Sequence, residues 1–442
     1  MVDALVSRSH ELKQALVDFV LDAEGELAEA LEIYAVAQSR PGQQDRVYQD
    51  LIIDSFLSEG KVGDKTPIDL FLEENPDLSQ SDRELINRWR NAFIGLFVVT
   101  QSLSDEFQLM NWLTAKQYNV KANDTQLESM TRFKEGEILL TRITPVSDTY
   151  WTFSGPYIPM GKLGKPKLAV AIGNFKENYK NALYSDAPKL LEQAWQSVEQ
   201  YHHEFLEFFG SDEVTMPGYQ LNKKIAEFQE VMTQRRLAAA GIDPSKSLAE
   251  VVQEAGIGEE EIKTAAEEVG ADSNTIAQLV ESKSSTKMVM PKVDLPAELK
   301  KAEQVTTLTH PRWGQMFIPT YSQFKSLLEA EDWQSIEGGE KLVRYYLENP
   351  AINAFVWQRL ARQYPTQLEK ILQAILIRPE FQLSRDLKAL LGEFNKLTEP
   401  ELPEIASVPQ HLHDLFQAAV AEINKSKSKS KSTKKTGMGF QS

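Results

Sequence analysis

Gly136-Glu137-Ile138-Leu139-Leu140-Thr141-Arg142-Ile143-Thr144-Pro145-Val146-Ser147-Asp148-Thr149-Tyr150-Trp151-Thr152-Phe153-Ser154-Gly155-Pro156 is the stretch whose reading decides the fold. Glu137 to Thr144 is rich in β-branched residues, starts after a glycine and stops at a proline, as strands do. Ser147-Asp148 supplies a turn, and Tyr150 to Phe153 reads as the returning strand, broken by Gly155-Pro156. Alternation puts Trp151 and Phe153 on one face and Tyr150 and Thr152 on the other. The first pair is expected in a core. Tyr150 is then left outside with Arg142, and Tyr157 lies close by in sequence.

Working outward, Leu96 to Leu103, Phe107 to Val120 and Leu168 to Ile172 carry the same texture. Four or five short strands in residues 93–175 predict a small antiparallel β-barrel or curled sheet. This segment holds eight bases and seven acids, so it is near neutral. Lys162, Lys165 and Lys167 add local positive charge in a loop between strands. Together with Arg142, Tyr150 and Tyr157 they form a candidate surface for single-stranded nucleic acid, where aromatic faces stack bases and cations track phosphates. The competing reading is barrel core plus edge.

Both flanks read as helix. In residues 1–92, Leu5, Leu12, Leu16, Phe19, Val20, Leu27, Leu31, Tyr34 and Ala35 recur near three- and four-residue spacing, with Gly25 a possible break. Ser81-Asp82-Arg83-Glu84 reads as a capping box. Residues 176–241 read as a helical hairpin, with Asp186-Ala187-Pro188 as a start signal. Residues 247–281 read as an acidic three-helix unit, with eight acids and one base between Glu254 and Glu281. Residues 282–308 are Ser-, Lys- and Pro-rich and read as a linker. Residues 309–424 read as a helical array with prolines at helix starts. Residues 425–442 form a basic tail expected to be disordered, in which Lys425, Lys427, Lys429, Lys431, Lys434 and Lys435 alternate with serines and no acid intervenes. The fold class is therefore mostly α, with one inserted β region.

Composition closes several functions. The 442 residues carry 48 bases and 64 acids, a net charge of −16, which argues against a whole-surface nucleic-acid binder. There is no cysteine, so disulfides, thiolate metal sites and thiol catalysis are excluded. The mean hydropathy is −0.37. The start, Met1-Val2-Asp3-Ala4-Leu5, has no signal-peptide character, and the longest apolar run, Phe93 to Val99, falls far short of a membrane span. The expected location is cytoplasmic, with peripheral attachment to a membrane left open.

Gly155-Pro156-Tyr157-Ile158-Pro159-Met160-Gly161-Lys162-Leu163 resembles a phosphate loop only superficially. Its glycine spacing is wrong, its prolines remove N–H donors, and Leu163 cannot ligate magnesium. Glu199 and His202 make half of a di-iron motif with no second half elsewhere, and Glu207 is expected to pair with His203. His411 and His413 are read as surface residues. No cofactor or metal is expected. The sequence thus reads as a non-enzymatic, multi-module interaction protein, an assembly factor or adaptor with protein partners. The alternative is an RNA- or ribosome-associated factor using the barrel and the lysine tail, with RNA or membrane lipid as the anionic surface. A carboxylate-based enzyme is the third reading, for which 64 acids offer no way to select a pair.

Overall fold

A computed structural model describes residues 2–39, 45–103, 105–123, 133–239 and 288–435, with side chains as far as 235 and 423 in the helices that end at 239 and 435. The expected acidic unit at 247–281 and residues 436–442 lie outside the described residues. The chain divides into two compact units, Met1–Leu191 with His411–Ser442, and Glu192–Gln410.

The first unit opens with α1 (Val2–Leu21) and α2 (Glu26–Gln38), parted at Gly25, whose φ of 68° suits a residue without a side chain. Next come α3 (Arg46–Glu59), α4 (Pro67–Glu74) and α5 (Gln80–Arg88). Asp45 caps α3 by accepting from the Tyr48 N–H. The capping box belongs to Thr66 and Asp69 at the start of α4, while Ser79, not Ser81, caps α5. Leu12, Leu16, Val20, Phe56, Leu57, Phe71, Ile86 and Trp89 form the core between these helices.

Five strands follow: β1 (Phe93–Ser102), β2 (Glu106–Asn111), β3 (Gln117–Lys121), β4 (Ile138–Pro145) and β5 (Tyr150–Gly161). They pair in the order β1-β2-β3-β5-β4, and β4 returns to β1, so the sheet closes. Phe93, Phe97, Val99, Phe107, Leu109, Phe133, Leu139 and Phe153 fill the interior. Small barrels close over side chains rather than a lumen, and this one is packed with rings.

The expected fold class is corrected in three respects. The barrel is not antiparallel, because β3 and β5 run parallel, Asn119 opposite Tyr150 and Lys121 opposite Thr152. Leu168 to Ile172 is not a strand but lies within α6 (Lys165–Asn178), where Leu168, Ala171, Ile172 and Phe175 face inward at helical spacing. The third correction is that residues 93–175 are not the only β region. The second unit has a sheet ordered β6-β8-β9, formed by β6 (Glu213–Met216), β8 (Val305–His310) and β9 (Gly314–Ile318). A short pair joins β7 (Met288–Val289) to β10 (Val408–Pro409). Val305-Thr306-Thr307-Leu308-Thr309 is β-branched at every position but Leu308 and almost fully buried, which outweighs its polar neighbours.

In the second unit, α7 (Pro188–Phe209) and α8 (Gly218–Ala239) precede that sheet, and the array follows it: α9 (Tyr321–Glu329), α10 (Gly339–Glu348), α11 (Ala354–Gln363), α12 (Pro365–Leu376) and α13 (Leu383–Glu393). One apolar core runs from Leu308 through Phe324, Tyr346, Trp357 and Leu372 to Leu391. Arg359 ties α11 to the start of β6, holding Asp212 in two bonds of 2.6 and 2.9 Å and Glu213 at 3.2 Å. The chain then returns to the first unit as α14 (Gln410–Lys435), where His411 bonds the Trp112 carbonyl at 2.7 Å. Among the described residues, no helix is long and apolar enough to cross a membrane.

Candidate functional site

Two features of the first unit stand out, an ionic joint between helices and barrel and an exposed ridge on α2. The joint is built on Asp54 of α3, 4% exposed, and Arg142 of β4, 1% exposed. Asp54 accepts from the Ser154 hydroxyl of β5 at 2.8 Å and forms ion pairs with Lys13 of α1 at 2.9 Å and with the Arg142 Nε at 3.2 Å. Arg142 also donates to Ser55 at 3.2 Å and pairs with Glu59. Burial pushes the Asp54 carboxyl up, but Lys13 and Arg142 pull harder and hold it below the usual aspartate value. Burial, helped by the nearby Glu59, pushes the Tyr34 phenol well above its normal range.

Gly155 makes the joint possible. A Cβ there would stand 2.8 Å from the Asp54 carboxyl carbon, so strand and helix meet only because this position is bare. The residue read as a strand breaker thus lies inside β5. Two cations face two carboxylates, and the charges cancel. A buried pair of this kind fixes geometry more than it adds stability.

Beside the joint lies a polar cleft lined by Ser9, His10, Lys13, Asn123, Thr144 and Ser154. Its enclosed space is about 10 Å³, room for one water and far below the ~300–1,000 Å³ of sites that hold organic ligands. The Thr144 hydroxyl at its floor is buried without a hydrogen-bond partner. That hydroxyl and the size of the cleft suit a water molecule.

The structure scatters the residues read as a stacking surface. Arg142 is spent in the joint. Tyr150 is half-buried against the helical core rather than free. Tyr157 packs against the barrel interior, edge-on to Phe133 with centroids 5.0 Å apart. Lys162, just after β5, and Lys165 and Lys167, in the first turn of α6, are exposed. The backbone of Lys427, Lys429, Lys431, Lys434 and Lys435 lies in α14, beyond the described side chains.

Asp186 does not act as the expected helix cap. Its carboxylate accepts from Asn111 at 3.2 Å, Thr114 at 2.8 Å and Tyr118 at 2.6 Å, clamping the β2–β3 turn. Among the histidines, His202 bonds the Thr309 hydroxyl at 3.1 Å, and His203 approaches Glu199 at 4.0 Å while Glu207 pairs with Arg235. Among the described residues, no three ligating side chains gather in a way that could hold a metal ion. His411 and His413 are half-buried, and burial lowers the pKa of both.

The α2 ridge was not singled out from sequence. Leu27 and Tyr34 point inward, Tyr34 lying 5.5 Å from the Phe56 ring. On the opposite arc, Glu26, Glu29, Glu32, Ile33, Val36 and Ala37 are exposed, Ile33 by 63% and Val36 by 72%. The signal was present, since α2 is apolar around more of its circumference than one buried face requires.

Residues 5–161 match a protein family described as "Family of unknown function (DUF7986)". The match begins in α1 and ends at the last residue of β5, so it takes in the helices, the barrel and the whole ionic joint. No curated protein and no solved structure matches the chain.

Proposed function

We propose that this protein is a non-enzymatic interaction protein, an adaptor or assembly factor, whose N-terminal unit presents α2 to a protein partner. The observation that carries this reading is the outward arc of α2. Two large apolar side chains stand in solvent beside three carboxylates, and α2 has no basic residue. A pairing of exposed apolar side chains with one sign of charge favours a partner segment that is basic and carries apolar anchors. The ionic joint supports the same reading, because it spends its four charges on holding helices and barrel together.

The test is affinity capture from nuclease-treated lysate with the full chain and with the Ile33→Asp/Val36→Asp variant. Both sites are exposed, so circular dichroism should be unchanged. Proteins held by the wild type should be depleted at least tenfold on the variant. Equal capture would remove α2 as the docking surface.

The second reading is an anionic partner, RNA or a lipid surface. Its support is local. Lys162, Lys165 and Lys167 are exposed and carry no ion pair among the described residues, and the exposed side chains of Met160 and Val170 lie close to them in sequence. Retention that disappears on nuclease treatment and at high salt, and that survives the α2 substitutions, would favour it.

A further inference from the structure

We infer that the ridge of α2 docks on the lysine-bearing face of α6 in a second copy of this chain. The inference rests on the reading of α2 as a protein-docking surface and names the partner.

Charge complementarity is the first argument. The stretch from Gln14 to Ser39 holds six acids and no base, whereas Lys162 to Lys176 holds four bases and no acid. Both stretches belong to the first unit, so every copy carries one surface of each sign. Lys162, Lys165 and Lys167 lie just before and within the first turn of α6, where the helix dipole is already positive. All three are exposed, and among the described residues no carboxylate pairs with them. A carboxylate brought by another copy answers the lysines and the helix end together. The net charge of −16 repels a second copy in general, and the lysine face is the local exception that selects this orientation.

Shape is the second argument. On α2, Glu26, Glu29, Ile33 and Val36 follow one exposed arc at three- and four-residue spacing. On α6, Lys167, Val170, Gly173 and Asn174 do the same, and Val170 is 62% exposed. A glycine inside a helix weakens it relative to alanine. The fold does not require one at 173, since a Cβ there would meet nothing within 4 Å. The bare backbone beside Val170 lets a second helix come close and leaves room for Ile33 and Val36.

The order of residues sets the direction. In both helices the charged residues precede the apolar ones. Laid in parallel, Glu26 and Glu29 meet the lysines while Ile33 and Val36 meet Val170 and Gly173. The lengths agree, because Glu29 to Val36 spans about 10 Å and Lys167 to Gly173 about 9 Å, at about 1.5 Å per residue. Ridge and face are different surfaces, so the contact is heterologous. Each docked copy still offers one free surface, and the assembly grows into a ring or an open chain.

Sedimentation velocity on the full chain over a concentration series tests this. The wild type should self-associate, its mean sedimentation coefficient rising with concentration. Ile33→Asp/Val36→Asp spoils the ridge and Lys165→Glu/Lys167→Glu reverses the face. Each should associate about tenfold more weakly or worse, as expected for polar and like-charge groups forced together. Mixed in equal amounts, the two variants still have one intact ridge and one intact face between them. They should form a one-to-one complex that grows no further, because the surfaces left over are both acidic. Gly173→Gln should keep its circular dichroism and lose association, since it fills the groove without touching the fold. A wild type that stays monomeric, undiminished association in any of the three variants, or a mixture that sediments as its separate components would each overturn the inference. Association that nuclease abolishes would assign the lysine face to RNA and overturn it too. The capture experiment reads the functional proposal separately. Partners lost there on Ile33→Asp/Val36→Asp, with a monomeric wild type here, would leave α2 as a docking surface for another protein and discard only the second copy.

Discussion

Each unit buries a cation, and the two are held in opposite ways. Arg142 meets two carboxylates at the helix–barrel joint. Lys396, 5% exposed, meets none among the described residues. Its ammonium donates to the backbone carbonyls of Tyr346, at 2.8 Å, and Asn349, at the C-terminal end of α10. A helix C-terminus offers only partial negative charge, about half an elementary charge spread over its last turn. The first cation is neutralised by full charges brought from distant parts of the sequence. The second closes a helix end and bears the cost of burial with weaker compensation. The two joints should therefore respond differently to mutation and to pH.

The largest expected effect is at the first joint. Asp54→Asn leaves Arg142 buried beside a neutral amide, and removing one partner of a buried pair costs about 3–5 kcal/mol. The double change Asp54→Leu/Arg142→Met should restore most of that loss, because an apolar pair needs no compensation. Hydrogen exchange at barrel amides such as Phe97 and Leu139 reports the unit directly. A single variant within about 1 kcal/mol of wild type would show that Glu59 and Ser55 suffice for Arg142. Acid should act in the same direction. The Asp54 carboxyl is held below its usual value, so its contribution is present above the unfolded value of about 4 and is lost as pH falls through the lower folded value.

The second joint should respond at the other end of the scale. Burial pushes the Lys396 ammonium down to about 8. Between that value and the unfolded value of about 10.4 the unfolded chain binds more protons, so stability rises with pH across this window. Lys396→Met removes the titration and leaves two carbonyls without their donor, at a cost of about 1–3 kcal/mol near neutrality. Exchange at the α10 amides, followed from pH 7 to 10, should show wild type gaining on the variant. Parallel profiles would mean that the ammonium stays charged throughout, held by the carbonyls alone.

The same contrast separates what was legible in the sequence from what was not. The β4–β5 hairpin, the split at Gly25 and the inward placement of Phe153 follow from local periodicity and turn chemistry. The parallel seam between β3 and β5 does not, because strand direction across a closed sheet is a property of the closure. Arg142 could not be placed from its own neighbourhood. Its partner Glu59 lies 83 residues away, and nothing local distinguishes a buried arginine from a surface one. The strand at Val305–His310 was legible, since five β-branched or apolar residues run together, but its Ser- and Lys-rich surroundings dominated the reading. The ridge on α2 was also legible in principle. Periodicity had identified Leu27, Leu31 and Tyr34 as the buried face, which leaves Ile33 and Val36 outside by geometry.

The smallest expected effect concerns a different compromise in the second unit. Ile377 ends α12 in the left-handed conformation, φ 57° and ψ 42°, and its side chain is 86% exposed. This is the position at which helices favour glycine, because a Cβ crowds the neighbouring carbonyl at a cost of about 1–2 kcal/mol. A β-branched side chain is among the worst suited to it, and Ile377 recovers little by burial. The cap bonds themselves come from the backbone, Ile377 N–H to Ala374 and Arg378 N–H to Gln373 at 3.0 Å, and would survive substitution. Ile377→Gly should therefore stabilise the array. Relief of strain outweighs the extra freedom gained by the unfolded chain, which is worth about 0.5–1 kcal/mol, so the net gain is below about 1 kcal/mol. Ile377→Ala separates the two contributions, since it keeps the strain of a Cβ while removing the branch, and should fall between glycine and wild type. Denaturant midpoints of the three proteins, at constant m-value, measure the order. A destabilised glycine variant would mean that Ile377 makes a contact strong enough to justify its backbone.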